Sequence, residues 1–453
     1  RCVNDSMRLY IILYLLAYVN SLTTFGITNP QDVSKTVEEH WFEQYLDHFD
    51  VLENRTFKMR YFEINDFYRH GGPLLLEIGG EEEIDSSNMR YNPNYKLAQQ
   101  LHGKIVLLEH RYYGKSDPFD TYNTTDNYDY LSVEQALEDI AYFIETYKNM
   151  TPGMNNSKVA VFGCSYAGSL ATWMRSKFPH LVDAAWASSA PLKMTLDFYQ
   201  YYEVAGELYS NVSSECIAII RQGYREAKDL LSTPKGTKIV KELFDGWACG
   251  NVTEMNSTDI LATIRLVLSN QYTEPGYGKE SCQFLQSKNE STSCFEQLAE
   301  LVLRNADDVC YEDDPDDEIA WTYQTCSQLG FSFTLNSHNQ PFKDSVPVID
   351  IDVAYCAETF GEEFNLEQLK RGIARMNRVY GSTKLQVSKV VTIQGTHDPW
   401  NKVGLQHQLN KDAPVFMVPG SSHCADVSKQ DYILPELLKA KSSASNLMLQ
   451  WLK

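Results

Sequence analysis

Residues 159–173 read VAVFGCSYAGSLATW, and the fold turns on what Ser165 is doing in them. Gly163 stands two places before the serine and Ala167 and Gly168 follow it, a near match to G-x-S-x-G. Such a match is common, so its flanks decide. Val159 to Phe162 is a short aliphatic run of the kind that forms a buried parallel strand. Leu170, Trp173 and Met174 then recur at helical spacing. Strand, tight turn and helix in that order describe a nucleophile elbow, in which small neighbours let a strained turn lift the serine hydroxyl above the sheet edge.

Working outward, Leu74–Ile78, Ile105–Leu108, Val390–Gln394 and Val415–Val418 are further short aliphatic runs, and Val133, Leu137, Ile140 and Ile144 mark a helix packing one face on a sheet. The strand pattern lapses after Ala185–Pro191 and resumes near 390. Between them lie helix-like segments such as Ile217–Leu231 and most of the cysteines. The fold class expected is α/β, a doubly wound, mostly parallel sheet with an inserted, disulfide-containing helical cap. The organisation expected is a leader over 1–21, a first core part over 22–190, the cap over 191–365 and a second core part over 366–453.

Such a nucleophile needs an acid and a base later in the chain, each on a loop after a strand. Asp398, in GTHDPW, follows the Val390 run, and His423, in GSSHCA, follows the Val415 run. The expected chemistry is attack by Ser165, proton transfer by His423 and orientation of the imidazole by Asp398, with the Tyr166 N–H as one oxyanion donor. His397 is a poorer base because it sits beside the acid. No H-E-x-x-H and no paired C-x-x-C occurs, so neither a metal nor another cofactor is expected.

The formal net charge of −20 repels polyanions, which argues against nucleic acid as a partner. Met7-Arg8 followed by the apolar Leu9–Val19 reads as a cleaved signal peptide ending near Ser21, with the first six residues upstream of it. No stable membrane anchor is then expected after cleavage. Of ten cysteines, seven fall between 216 and 356, which suits a stapled insertion in an oxidising compartment. Once Cys2 is set aside the number is odd, so at least one thiol is free or bonded to another chain. Glycosylation triplets occur at Asn54, Asn123, Asn149, Asn155, Asn211, Asn251, Asn256 and Asn289.

The stretches GGPLLLEIGGEEE, LLEHRYYGKSDP, YLSVEQALEDI, FGCSYAGSLATW, WTYQTCSQLGF, IQGTHDPWN and VPGSSHCAD, in this order, resemble the serine peptidases that include lysosomal Pro-Xaa carboxypeptidase, dipeptidyl peptidase II and thymus-specific serine protease. The wording around Trp321 and Cys424 is closer to the thymus-specific branch. The resemblance implies an α/β-hydrolase core under a helical cap and exopeptidase action on peptides, with proline before the cut bond. It places the triad on the same Ser165, Asp398 and His423, and implies a secretory, lysosomal or extracellular setting and a homodimer. It also implies a pyrrolidine pocket walled by Trp400 and Phe331, a second oxyanion donor near Gly80, and bonds Cys216–Cys282, Cys249–Cys310 and Cys326–Cys356, leaving Cys294 unassigned. The chain departs from the family at Glu82 and at Cys164, where glycines are usual. Glu82 resists backbone conformations that glycine permits. Cys164 and Cys424 are expected to lie near one another without forming a bond. An esterase on the same core, or an inactive binding homologue, are the alternatives to a peptidase.

Overall fold

The computed structural model describes residues 37–119, 127–247, 249–288, 292–306, 310, 315–427 and 434–453. The leader, Asn123 and Asn289 lie outside the described residues. An eight-stranded sheet runs through the molecule in the order β1 (Glu38–Tyr45), β2 (Thr56–Ile64), β4 (Lys104–Leu108), β3 (Leu74–Ile78), β5 (Val159–Cys164), β6 (Ala184–Ser188), β9 (Val390–Gly395) and β10 (Val415–Val418). β1 and β2 are antiparallel to their neighbours, and the remaining pairings are parallel.

The aliphatic runs are central because helices cover both faces and leave no polar side for the strands to show. Side chains alternate between two cores. Leu74, Leu76, Val106, Val159, Val161, Ala185 and Val390 face one way, toward α2 (Val133–Met150) and α3 (Ser165–Lys177). Leu75, Ile105, Ala160, Phe162, Trp186 and Val391 face the other, where α1 (Pro93–Leu101) supplies Leu97 and Ala98 and the C-terminal helix Pro435–Leu452 supplies Leu437, Ala444, Met448 and Trp451. β1 and β2 were not expected. Their charged residues alternate with buried Phe42, Gln44, Phe57 and Met59, the pattern of a peripheral pair with one wet face.

Between β6 and β9 the described chain is mostly helical, as the cap expectation requires, and a two-stranded ribbon of β7 (Thr195–Asp197) with β8 (Gly330–Ser332) lies within it. Bonds Cys216–Cys282, Cys249–Cys310 and Cys326–Cys356 staple it, and Cys294 is free. A fourth bond, Cys164–Cys424, corrects the expectation that these two thiols stay unbonded. The end of β5 and the loop after β10 bring their Cα atoms to 5.7 Å, within the reach of a disulfide. Among the described residues no helix is long and apolar enough to cross a membrane. Asn54, Asn149, Asn155, Asn211, Asn251 and Asn256 are all exposed.

One buried ion pair ties the outer strands to the core. Arg111 donates through Nε and Nη2 to Asp139 on α2, and its remaining donors reach the carbonyls of Tyr45, Leu46 and Tyr130. Asp139 also meets His48 Nε2 at 2.8 Å. Both partners are buried, so removing one strands a desolvated charge. Asp139→Ala should therefore destabilise the fold by about 3–5 kcal/mol, read as a lower denaturation midpoint. An unchanged midpoint would show that the pair is not structural.

Candidate active site

Ser165 ends β5 and begins α3, with φ +55°. That left-handed conformation is costly for a side chain and persists only where its surroundings impose it. They do so here. A Cβ on Gly163 would stand 2.1 Å from the Ala167 carbonyl oxygen, and one on Gly168 would stand 2.7 Å from the Ser188 carbonyl oxygen. Both positions must be glycine for the turn to close against β6. The elbow leaves the first N–H groups of α3 without helical partners, and these include Tyr166's.

Asp398 opens the short turn Pro399–Val403 after β9. Its Oδ1 accepts from the Trp400 N–H at 2.9 Å, which fixes the carboxylate, and its Oδ2 lies 2.9 Å from His423 Nδ1. Asp398 and His423 are both almost wholly buried. The two atoms are close but not aligned as a hydrogen bond, and His423 Nε2 makes no hydrogen bond among the described residues. The structure thus brings Asp398 and His423 together directly, while Ser165 and His423 are connected through their neighbours Cys164 and Cys424. His397 makes no ion pair among the described residues, and burial pushes its imidazole toward the neutral form.

The loop carrying His423 is anchored on several sides. Its own N–H donates to the Gln271 carbonyl at 3.0 Å, the Cys424 N–H donates to Ser189 Oγ at 2.9 Å, and Asp426 accepts from Trp186 Nε1 and Ser188 Oγ on β6. The disulfide adds a covalent tie. Gln271 and Tyr272 come from the cap and were missed in the sequence. The Gln271 side chain accepts from Trp400 Nε1, and the Tyr272 ring stands edge-on to His423 with centroids 5.6 Å apart. Two lone polar residues more than 100 positions away carry no local pattern by which to find them.

A chain of hydrogen bonds holds Tyr166. His110 Nδ1 donates to the Arg111 carbonyl at 2.7 Å, leaving Nε2 to accept from the Tyr166 hydroxyl at 3.2 Å. Burial lowers the His110 pKa to about 4, so the imidazole is neutral and these roles are fixed. Gln324 Nε2 donates to the Tyr166 hydroxyl at 2.8 Å, and Gln324 Oε1 accepts from Tyr113. The motif EHRYYG and the segment WTYQTC therefore meet around the residue after the serine.

Trp400 and Phe331 line one cavity of about 50 Å³ with Trp321, Phe333, Asp352 and the Cys326–Cys356 bond, roomy enough for a few waters or a small ring. Their rings are edge-to-face, 5.0 Å apart. A π-helical turn at Thr325–Leu329 followed by Gly330 delivers Phe331 at φ +76°. Gly80 faces the elbow, with Ala167 Cβ 3.9 Å from where its own Cβ would be. Glu82 has no positive φ, so the departure from glycine costs no backbone strain. Cys164, Cys424 and His423 cluster closely enough to suggest a metal site, but their sulfurs are spent in the disulfide and cannot serve as thiolate ligands.

The family model described as "Serine carboxypeptidase S28" matches residues 44–274 and 273–443. The mouse thymus-specific serine protease is 29% identical, covering 92% of this chain and 88% of its own length. A putative serine protease of Caenorhabditis elegans is also 29% identical over 91% of this chain and 87% of its own. The lysosomal Pro-X carboxypeptidase of Pongo abelii is 24% identical over 98% of both.

Burial raises the Glu81 carboxyl from 4.5 to about 7, against a weaker opposing pull from His423. The native state then holds a proton that the unfolded chain releases above pH 4.5. This contribution to stability is fully present below that pH and is lost as pH climbs through about 7. Glu81→Gln should flatten that part of the stability profile. An identical fall in both proteins would assign the fall to another group.

Proposed function

The chain belongs to the serine carboxypeptidase S28 family and is a serine peptidase, and from that premise we propose a secretory-pathway exopeptidase that cuts peptides after proline through an acyl-enzyme. The observation carrying this reading is the Asp398–His423 pair, 2.9 Å apart and buried, on a loop bonded covalently to the residue before a serine in left-handed backbone.

In this reading Ser165 Oγ attacks the substrate carbonyl and His423 Nε2, which has no hydrogen-bond partner among the described residues, takes its proton and later returns it to the leaving amine. Asp398 beside Nδ1 selects the tautomer that frees Nε2 and steadies the imidazolium. The N–H of Tyr166, at the positive end of α3, and an N–H of the Gly80 loop receive the charge developing on the carbonyl oxygen. Hydrogen bonds to the Tyr166 hydroxyl hold that residue in place. Trp400 and Phe331 form the walls for a pyrrolidine ring, whose flat apolar faces suit edge-to-face aromatics. Relatives named as Pro-X carboxypeptidases support the proline preference. Four disulfides support folding in an oxidising compartment.

The test uses two matched proline peptides, one blocked at its N-terminus and one at its C-terminus. Release of a C-terminal residue from the first identifies a carboxypeptidase, and release of an N-terminal dipeptide from the second identifies a dipeptidyl aminopeptidase. Ser165→Ala should lower kcat by at least about 10³-fold with little change in KM. Cleavage of neither peptide by the wild type, or equal cleavage by Ser165→Ala, would overturn the proposal.

A further inference from the structure

The residues read as a triad come from two stretches of chain that the cap separates, Ser165 before it and Asp398 and His423 after it. One sheet sets β5, β6, β9 and β10 side by side beneath them, and the Cys164–Cys424 bond adds a covalent link, closing a loop of 260 residues between the position before the nucleophile and the position after the base. It lies at the site itself, since both sulfurs and a ring nitrogen of His423 are all within 4.8 Å of one another.

The backbone on both sides is strained. Ser165 has φ +55° and Cys424 φ +57°, conformations that side-chain-bearing residues leave when their restraints are removed. Among the described residues the His423 ring makes no aligned hydrogen bond and rests against the Asp398 carboxylate and the Tyr272 and Trp400 rings. Its placement therefore depends heavily on the backbone of 423–424, where the disulfide acts.

Accessibility sets this bond apart from the rest. The six bonded cysteines of the cap are all buried, whereas Cys164 is partly exposed at the elbow. We infer that the Cys164–Cys424 disulfide positions His423 over Ser165, and that a dithiol reaching Cys164 switches the peptidase off reversibly. This rests on the triad reading above. A thiolate of the reductant attacks Sγ of Cys164 and the S–S electron pair leaves on Sγ of Cys424, where the neighbouring imidazole or water protonates it. The second thiol of the reductant then closes its own disulfide and releases Cys164 as a thiol. Two electrons and two protons pass from the dithiol to the protein. Freed of the bond, the His423 loop keeps only its hydrogen bonds to Gln271, Ser189 and β6, and a shift of about 1 Å at the reacting atoms costs on the order of 10²-fold in rate.

Dithiothreitol titration of the native enzyme tests this, with thiol alkylation mapped by mass spectrometry alongside kcat and KM. Expected is a fall in kcat of roughly 10- to 100-fold and a KM within about threefold. The fall should parallel alkylation of Cys164 and Cys424 before any cap cysteine and reverse on reoxidation. The double variant Cys164→Ala/Cys424→Ala should show the same low kcat, a melt that stays cooperative at a lower midpoint and no further response to dithiothreitol. A wild-type kcat in that variant, or inactivation that follows opening of a cap bond, would overturn the inference. Should the variant fail to fold, the titration of the native protein decides alone. Peptidase activity surviving in Ser165→Ala would instead fault the triad reading.

Discussion

Gly163 lies so close to the Ala167 carbonyl that no side chain fits between them, and the rest of the site depends on that contact. It lets β5 turn into α3 within one residue and forces Ser165 into left-handed backbone. A serine in an ordinary turn would satisfy its hydroxyl locally and point wherever solvent took it. Here the Ala167 carbonyl beside Gly163 and the Ser188 carbonyl behind Gly168 hold the backbone of the turn in place. The cost of a strained φ is on the order of 1–3 kcal/mol, which the packing of a large two-sided core covers easily.

The second half of the site is assembled quite differently. His423 sits on a loop with little regular structure of its own, and its placement is borrowed from β6 through Asp426, from the cap through Gln271, and from β5 through the disulfide. The cap is therefore more than a cover. Its Gln271 bridges the His423 backbone and the Trp400 side chain, so His423 and the wall of the candidate pocket share one support. Movement of the cap would disturb both together.

Much of this was legible in the sequence because it was local. An aliphatic run, a glycine, a serine and a helical pattern lie within fifteen residues of one another, and Asp398 and His423 each follow a strand that announces itself. The outer strands β1 and β2 hid behind charged residues that alternate with buried ones. EHRYYG was conspicuous as a motif, yet its physical purpose emerged only when His110, Tyr166, Gln324 and Tyr113 met in space. The nearness of Cys164 and Cys424 followed from their places beside Ser165 and His423, but the bond between them was missed. An odd number of cysteines leaves the choice of the free one open.

The most direct measurement is the mass of the intact protein and of its peptides after reaction with diisopropyl fluorophosphate, which captures a serine only where a base and an oxyanion site activate it. The account predicts a single adduct, on Ser165, formed in step with complete loss of peptide cleavage. Loss of cleavage with the adduct on another residue, or full modification of Ser165 with cleavage intact, would contradict it.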